Sequence, residues 1–174
     1  MIIDSSSLIL IAKINRLDIL ENIYQSVNIT EEIYKEVVES GLQIDAPDAK
    51  IIKEAEENNK IRIISLNGEY LELSKKIRDR YNLDFGESDA IALALQQKNK
   101  GIIIDEKLGR QVCKIYSLNP IGVLGIILEA YKKDIINEEE LKNTLEQLIK
   151  NKFWIGARVL NEFWNIFEKI KSKK

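Results

Sequence analysis

Met1-Ile2-Ile3-Asp4-Ser5-Ser6-Ser7-Leu8-Ile9-Leu10-Ile11-Ala12 is an apolar run that stops on a carboxylate, passes three hydroxyl residues and becomes apolar again. A short β-branched run followed by small hydroxyl residues predicts a strand, a turn and a helix, with Ser5 to Ser7 as natural helix caps. The pattern returns at Gly101-Ile102-Ile103-Ile104-Asp105, with a helix expected from Lys107 to Tyr116. Two strands therefore end on aspartates. Strands that alternate with helices predict an α/β fold with a short parallel central sheet covered on both faces, and in such sheets the functional crevice lies outside the carboxyl ends of the strands.

Working outward, helical spacing is read at residues 17–24, and Val27-Asn28-Ile29 is a strand before a Thr30-capped helix over 31–39. Pro47 opens a helix to about Asn58, Ile61 to Ile64 is a strand, and a charged amphipathic helix covers 68–80. Ala90-Ile91-Ala92-Leu93-Ala94-Leu95 is apolar on all sides, which marks a buried helix whose first turn is expected to contain Glu87 and Asp89. Asn119-Pro120-Ile121-Gly122 is read as a break. Helices follow at about 123–132, 137–150 and 157–170. No repeat, linker or low-complexity stretch marks a second domain, so residues 1–174 are read as one domain, with helices 137–170 as an extension packing on it or on a partner.

The chain of 174 residues carries 26 Lys+Arg against 28 Asp+Glu, a formal charge of −2, and contains no histidine. That absence excludes histidine-based triads, a histidine general base and histidine-ligated zinc. A single cysteine, Cys113, excludes an internal disulfide and a cysteine metal cluster, and is read as a buried apolar residue. The near-neutral balance lacks the basic excess of a non-specific nucleic-acid binder, so phosphate would have to meet a local patch or a metal. Mean hydropathy is −0.20, and neither a membrane span nor a leader segment is read from the chain, which is expected to be cytoplasmic.

Four acids can be drawn toward one point: Asp4 and Asp105 after their strands, Asp89 near the start of the buried helix, and Glu36 on the helix after the second strand. An all-oxygen cluster suits Mg2+ or Mn2+, and uncompensated carboxylates are costly to bury without such an ion. Simpler readings compete. Asp4 and Asp105 could be helix caps only, Glu36 competes with Glu32 on the same helix, and Glu87 could be only a first-turn partner of the helix dipole. Phe153, Trp154, Phe163, Trp164 and Phe167 are read first as core packing, with any exposed remainder as a protein-binding surface.

The segments Ile2-Ile3-Asp4-Ser5-Ser6-Ser7-Leu8-Ile9, Ile33-Tyr34-Lys35-Glu36-Val37, Gly86-Glu87-Ser88-Asp89-Ala90-Ile91-Ala92, Ile104-Asp105-Glu106-Lys107-Leu108-Gly109-Arg110 and Gly122-Val123-Leu124-Gly125 occur in this order. Together they resemble the PIN-domain ribonucleases, and more narrowly the VapC-like toxin branch, over roughly residues 1–160. The resemblance implies a three-layer α/β/α fold. It also implies that Asp4, Glu36, Asp89 and Asp105 match the family's catalytic metal-binding quartet, with Mg2+ or Mn2+ as cofactor. Ser6 and Glu87 match supporting groups around that quartet, and Lys107 and Arg110 positions that could meet substrate phosphate or Asp105. Ser5 and Ser7 stand where relatives more often carry Thr and Pro, Asp89 where Glu is common, and Glu106 where Asp is common. The implied activity is a metal-dependent endoribonuclease leaving a 5′-phosphate and a 3′-hydroxyl, acting as the toxin of a type II toxin–antitoxin pair. The implied partners are RNA, a small antitoxin protein and a second copy of the chain, with no membrane. A PIN-like binding or scaffolding domain without cleavage is the alternative. Two other acid-based enzymes fit less well. An aspartyl-nucleophile phosphatase needs an acid where Ser6 stands, and a phosphoacceptor domain needs an aspartate on the strand at residues 61–64.

Overall fold

The computed structural model describes residues 1–174. Five short strands, β1 (Ile2–Ile3), β2 (Val27–Ile29), β3 (Ile61–Ile63), β4 (Gly101–Ile103) and β5 (Asn119–Ile121), form one sheet in the order β3-β2-β1-β4-β5, parallel throughout. The chain lays down β1, steps outward to β2 and β3, then returns across the sheet to start β4 on the other side of β1. The direction of winding thus reverses between β1 and β4. Ile2 pairs with Ile102 and Ile3 with Ile103, and the Asp4 N–H donates to the Ile103 carbonyl at 3.1 Å. Asp4 and Asp105 therefore leave neighbouring strands at the reversal, where doubly wound sheets open their ligand crevice.

The helices that position this crevice are α1 (Ser5–Lys13), α3 (Glu31–Tyr34), α6 (Gly68–Tyr81), α7 (Phe85–Gln96), α8 (Lys107–Ile115) and α9 (Val123–Lys132); α2 (Leu17–Tyr24), α4 (Gly41–Gln43) and α5 (Pro47–Glu57) complete the two covering layers. α3 runs without a break into a π-helical segment, Lys35–Ser40, and on into α4. A π-turn inserts an extra residue per turn and is a common local feature of functional sites. α7 touches β1, β4, α1, α3, α6 and α8, which explains its all-round apolar sequence. It starts earlier than the apolar run suggested. Asp84 is the N-cap, accepting from the Glu87 N–H at 2.7 Å, while the Glu87 carboxylate accepts from the Asp84 N–H. Glu87 is therefore in the first turn and Asp89 in the second.

One further expectation is resolved and one corrected. Of the two cap readings for α1, the serines and Asp4, the structure takes Asp4: its Oδ1 accepts from the Ser7 N–H at 3.0 Å. The segment 119–121 is the edge strand β5, not a break; an edge position tolerates Pro120, which has no N–H to give to a ladder. Tight turns in this chain adopt left-handed backbone at Asn15, Gln25, Asp45, Asn59, Asn82, Lys98, Ser117, Asp134 and Lys152, and no glycine has positive φ. The eight glycines are free to serve another purpose.

One hydrophobic cluster runs from Ile2 and Ile3 through Ile91, Ile102 and Ile126 to Leu148, Phe163 and Phe167. The last two helices, α10 (Glu138–Lys150) and α11 (Ala157–Lys171), pack on α9, with the Phe167 ring 4.9 Å from Tyr131 and Trp164 edge-on to both Phe163 and Phe167. The C-terminal aromatics are thus mostly core, with Trp154 as the exposed remainder at 86%. Cys113 is buried and free. No helix is long and apolar enough to cross a membrane.

Candidate metal centre

Asp4 and Asp105 share a bridging neighbourhood built by the start of α1. Ser6 Oγ donates to Asp4 Oδ2 at 2.9 Å, the Ser7 N–H to Asp4 Oδ1, and Ser7 Oγ to Asp105 Oδ2 at 3.3 Å. The first N–H of α9, that of Val123, reaches both oxygens of Asp105 at 3.2 and 3.1 Å, so a helix N-terminus is directed at this carboxylate. Burial nevertheless dominates. It pushes the Asp4 carboxyl up to about 7, with the charge of Asp105 acting in the same direction and the serine hydrogen bonds opposing. Asp105 is also held above the usual carboxylate range by burial, against donors from Val123 and Ser7 and the nearby Arg110 guanidinium.

Glu87 is a further buried acid on this side of α7. It is 7% exposed, its Oε1 is buried with no hydrogen-bond partner, and burial raises its carboxyl, assisted by the charges of Asp84 and Glu106. Asp4 and Glu87 both lie near Cys113, whose thiol is pushed up to about 12 by burial first and by these two charges next. Such a thiol is inert as a nucleophile. Glu36 stands at the open side. Its carboxyl is raised by desolvation, with the Ser5 hydroxyl lowering it and Asp84 and Glu32 raising it. Glu32, the competing acid, instead faces Lys35 at 3.5 Å on the exposed helix face.

Asp89 is not brought to these acids. Its Oδ1 accepts from Ser74 Oγ at 2.5 Å and its Oδ2 from Thr30 Oγ1 at 3.1 Å, so both oxygens are engaged by α6 and by the cap of α3. The reason is helical geometry: residues two apart on an α-helix project roughly 200° apart, so Glu87 and Asp89 face nearly opposite sides of α7. Of the basic candidates, Arg110 lies beside Asp105, whereas Lys107 is the exposed first residue of α8.

The glycines show why the acids fit. A Cβ on Gly86 would lie 2.3 Å from Ser5 Oγ and 3.4 Å from Glu36 Oε2; one on Gly109 would lie 2.5 Å from Glu87 Oε1; one on Gly122 would lie 2.6 Å from Asp105 Oδ1. The backbone at Gly109 and Gly122 thus approaches a carboxylate too closely to leave room for a Cβ, and at Gly86 it approaches the Ser5 hydroxyl in the same way, with Glu36 in ordinary contact. None of these contacts was legible from spacing, and neither were the hydrogen bonds of Ser74 and Thr30 to Asp89. Gly109→Ala is expected to drive the new methyl into Glu87 and the Ile104 side chain, lowering stability by about 1–3 kcal/mol as overpacked sites do; calorimetric melting checks it.

The donor set consists of carboxylate and hydroxyl oxygens, with one buried oxygen lacking any partner and carboxyls that stay raised by burial even where Arg110 lies nearby. In kind this fits a hard divalent ion. In the geometry as it stands, no three carboxylates close around a common point.

Among known proteins, the model of the PIN domain matches residues 1–169. Neither a curated protein nor a solved structure matches the chain. A match over nearly the whole length, on a parallel sheet with acids at its winding reversal, places the chain in the PIN-domain family.

Proposed function

We propose that this protein is a metal-dependent endoribonuclease, and more narrowly the toxin of a type II toxin–antitoxin pair. PIN domains are in general nucleases that use divalent metal ions. The observation that carries the reading is the pairing of Asp4 and Asp105 through Ser7 at the sheet's winding reversal, with the unpartnered Glu87 oxygen on a residue that shares the neighbour Cys113 with Asp4. Asp4, Asp105, Glu87 and Glu36 are the residues proposed to hold Mg2+ or Mn2+, with Ser6 fixing the Asp4 carboxylate. Asp89, which the family pattern also offered as a ligand, is proposed as a strut between α3, α6 and α7.

A divalent ion at such oxygens supplies an acidified water and neutralises charge on a phosphodiester during in-line displacement. The chain's own groups do the rest. Ser6, Ser7 and the Val123 N–H hold two carboxylates in fixed orientation, so little reorganisation is needed when charge develops. Arg110, beside Asp105, is placed to meet a phosphate oxygen. With no histidine in the chain, proton transfer falls to these carboxyls and to water. The raised carboxyls favour their protonated forms in the ion-free protein, and an ion would draw them back to the ionised state.

The test is direct. Purified protein with Mn2+ is expected to cut a fluorescently labelled single-stranded RNA internally, leaving 5′-phosphate ends, and chelation is expected to stop it. Binding without any cutting in Mn2+ or Mg2+ would support the alternative, a PIN-like binding module. Growth arrest on expression, relieved by the product of a neighbouring small gene, tests the toxin role and the antitoxin partner.

A further inference from the structure

Phe85 is the first residue of α7, and its neighbours on both sides belong to the acidic cleft. Asp84 lies near enough to Glu36 and Glu87 to raise both, and Gly86 packs against Ser5 and Glu36. Phe85 itself turns outward and is 57% exposed. The ring sits at the lip of the acidic site with more than half of its surface open to solvent. The ring does not stand alone: the Arg78 guanidinium, from the last turn of α6, stacks over it at 4.0 Å. Arg78 has only a loose contact with Asp79 at 3.7 Å, and so brings a largely uncompensated positive charge to this lip.

A cation stacked on one face of a ring and an exposed remainder is the arrangement with which proteins hold an unpaired nucleobase: the base stacks on the ring while the guanidinium meets the backbone phosphate. Duplex RNA hides its bases in the helix and offers no such face. We propose that Phe85, braced by Arg78, is a stacking platform for an unpaired base next to the scissile phosphate. Charge decides between RNA and a protein partner. An apolar protein surface would have to desolvate Arg78, whereas a nucleotide satisfies ring and cation together. The inference rests on the nuclease reading for its position, but its test does not need cleavage.

The probe is a 12-nucleotide single-stranded RNA with one central 2-aminopurine, whose fluorescence falls on stacking, titrated with protein in chelator so that no RNA is cut. The full-length wild type is expected to quench the probe, and the same strand in a duplex is expected to bind more weakly without quenching. Phe85→Ala is expected to lose the quench and to weaken binding about 10-fold, the scale of one base–aromatic stack, while Phe85→Trp keeps both. Because the side chain is exposed, the alanine variant is expected to melt within a few degrees of wild type, and the melt separates loss of stacking from loss of fold. Equal quenching by Phe85→Ala, or equal affinity for duplex and single strand, would overturn the proposal and leave a protein partner as the occupant of the ring. If wild type cuts RNA in Mn2+ while Phe85→Ala quenches unchanged, only this inference fails. If wild type neither binds nor cuts any RNA, the nuclease reading fails with it.

Discussion

Asp4→Asn is expected to reduce Mn2+-dependent RNA cleavage by at least ~100-fold, the scale of losing one preorganised electrostatic contact in an active site, while making the ion-free protein more stable at pH 8. The two effects have one cause. Asp4 is buried, its carboxyl is pushed up to about 7 against an ordinary value of 3.8, and the largest reason is desolvation. For an acid whose value is raised on folding, the folded state is penalised once the unfolded chain ionises. The penalty is absent below about pH 3.8, grows as pH rises toward 7 and is complete above it. At pH 8 it is on the order of a few kcal/mol. Asparagine removes the charge but keeps the cap, because its amide oxygen still accepts from the Ser7 N–H and asparagine is among the best N-cap residues. Calorimetric melts at pH 4 and pH 8 are therefore expected to show the variant gaining on wild type only at the higher pH. Adding Mn2+ is expected to raise the wild-type midpoint more at pH 8 than at pH 5, and the variant's much less at either. A variant that is less stable than wild type at pH 8, or that cleaves normally, would contradict the role given to Asp4.

The reason so much of this site was legible lies in the parallel sheet. An apolar run that ends on an aspartate is a local pattern, and a parallel sheet puts all such ends on one side, so Asp4 and Asp105 could be placed together from the sequence. Glu36 was preferred to Glu32 only through the motif resemblance, and the structure pairs Glu32 with Lys35 three residues on. β5 was not legible, because Pro120 and Gly122 signal a break everywhere except at a sheet edge, and edge position is decided by the whole topology. The start of α7 was misplaced although its signal was present: Asp84-Phe85-Gly86-Glu87 has the spacing of a capping box, and reading it fixes Glu87 at the third helical position. The roles of Gly86, Gly109 and Gly122 had no local signal at all. They follow from approaches between segments far apart in sequence.

That misplaced helix start leads to the sharpest test of the site, which exchanges the expected roles of two acids two residues apart. Glu87→Gln is expected to abolish the Mn2+-induced rise in melting temperature and to leave cleavage at or near background. Its fold should survive, since glutamine also closes a capping box and the Asp84 side of that box is untouched. Removing a buried charge whose Oε1 has no partner should even raise ion-free stability. Asp89→Asn is expected to do the reverse. Its carboxylate accepts from Ser74 and from Thr30, the cap of the helix that runs on to Glu36, and an amide cannot accept from both in the same pose. Ion-free stability should fall by about 1–3 kcal/mol, the cost of leaving one buried polar group unsatisfied. The Mn2+-induced rise should persist, because the ligands proposed for the ion include Glu87, on the other face of α7. Isothermal titration with Mn2+ on both variants reads the same contrast without relying on activity. If Asp89→Asn loses ion binding while Glu87→Gln keeps it, the assignment drawn from the helix geometry is wrong, and Asp89 must turn away from Ser74 and Thr30 when the ion is bound.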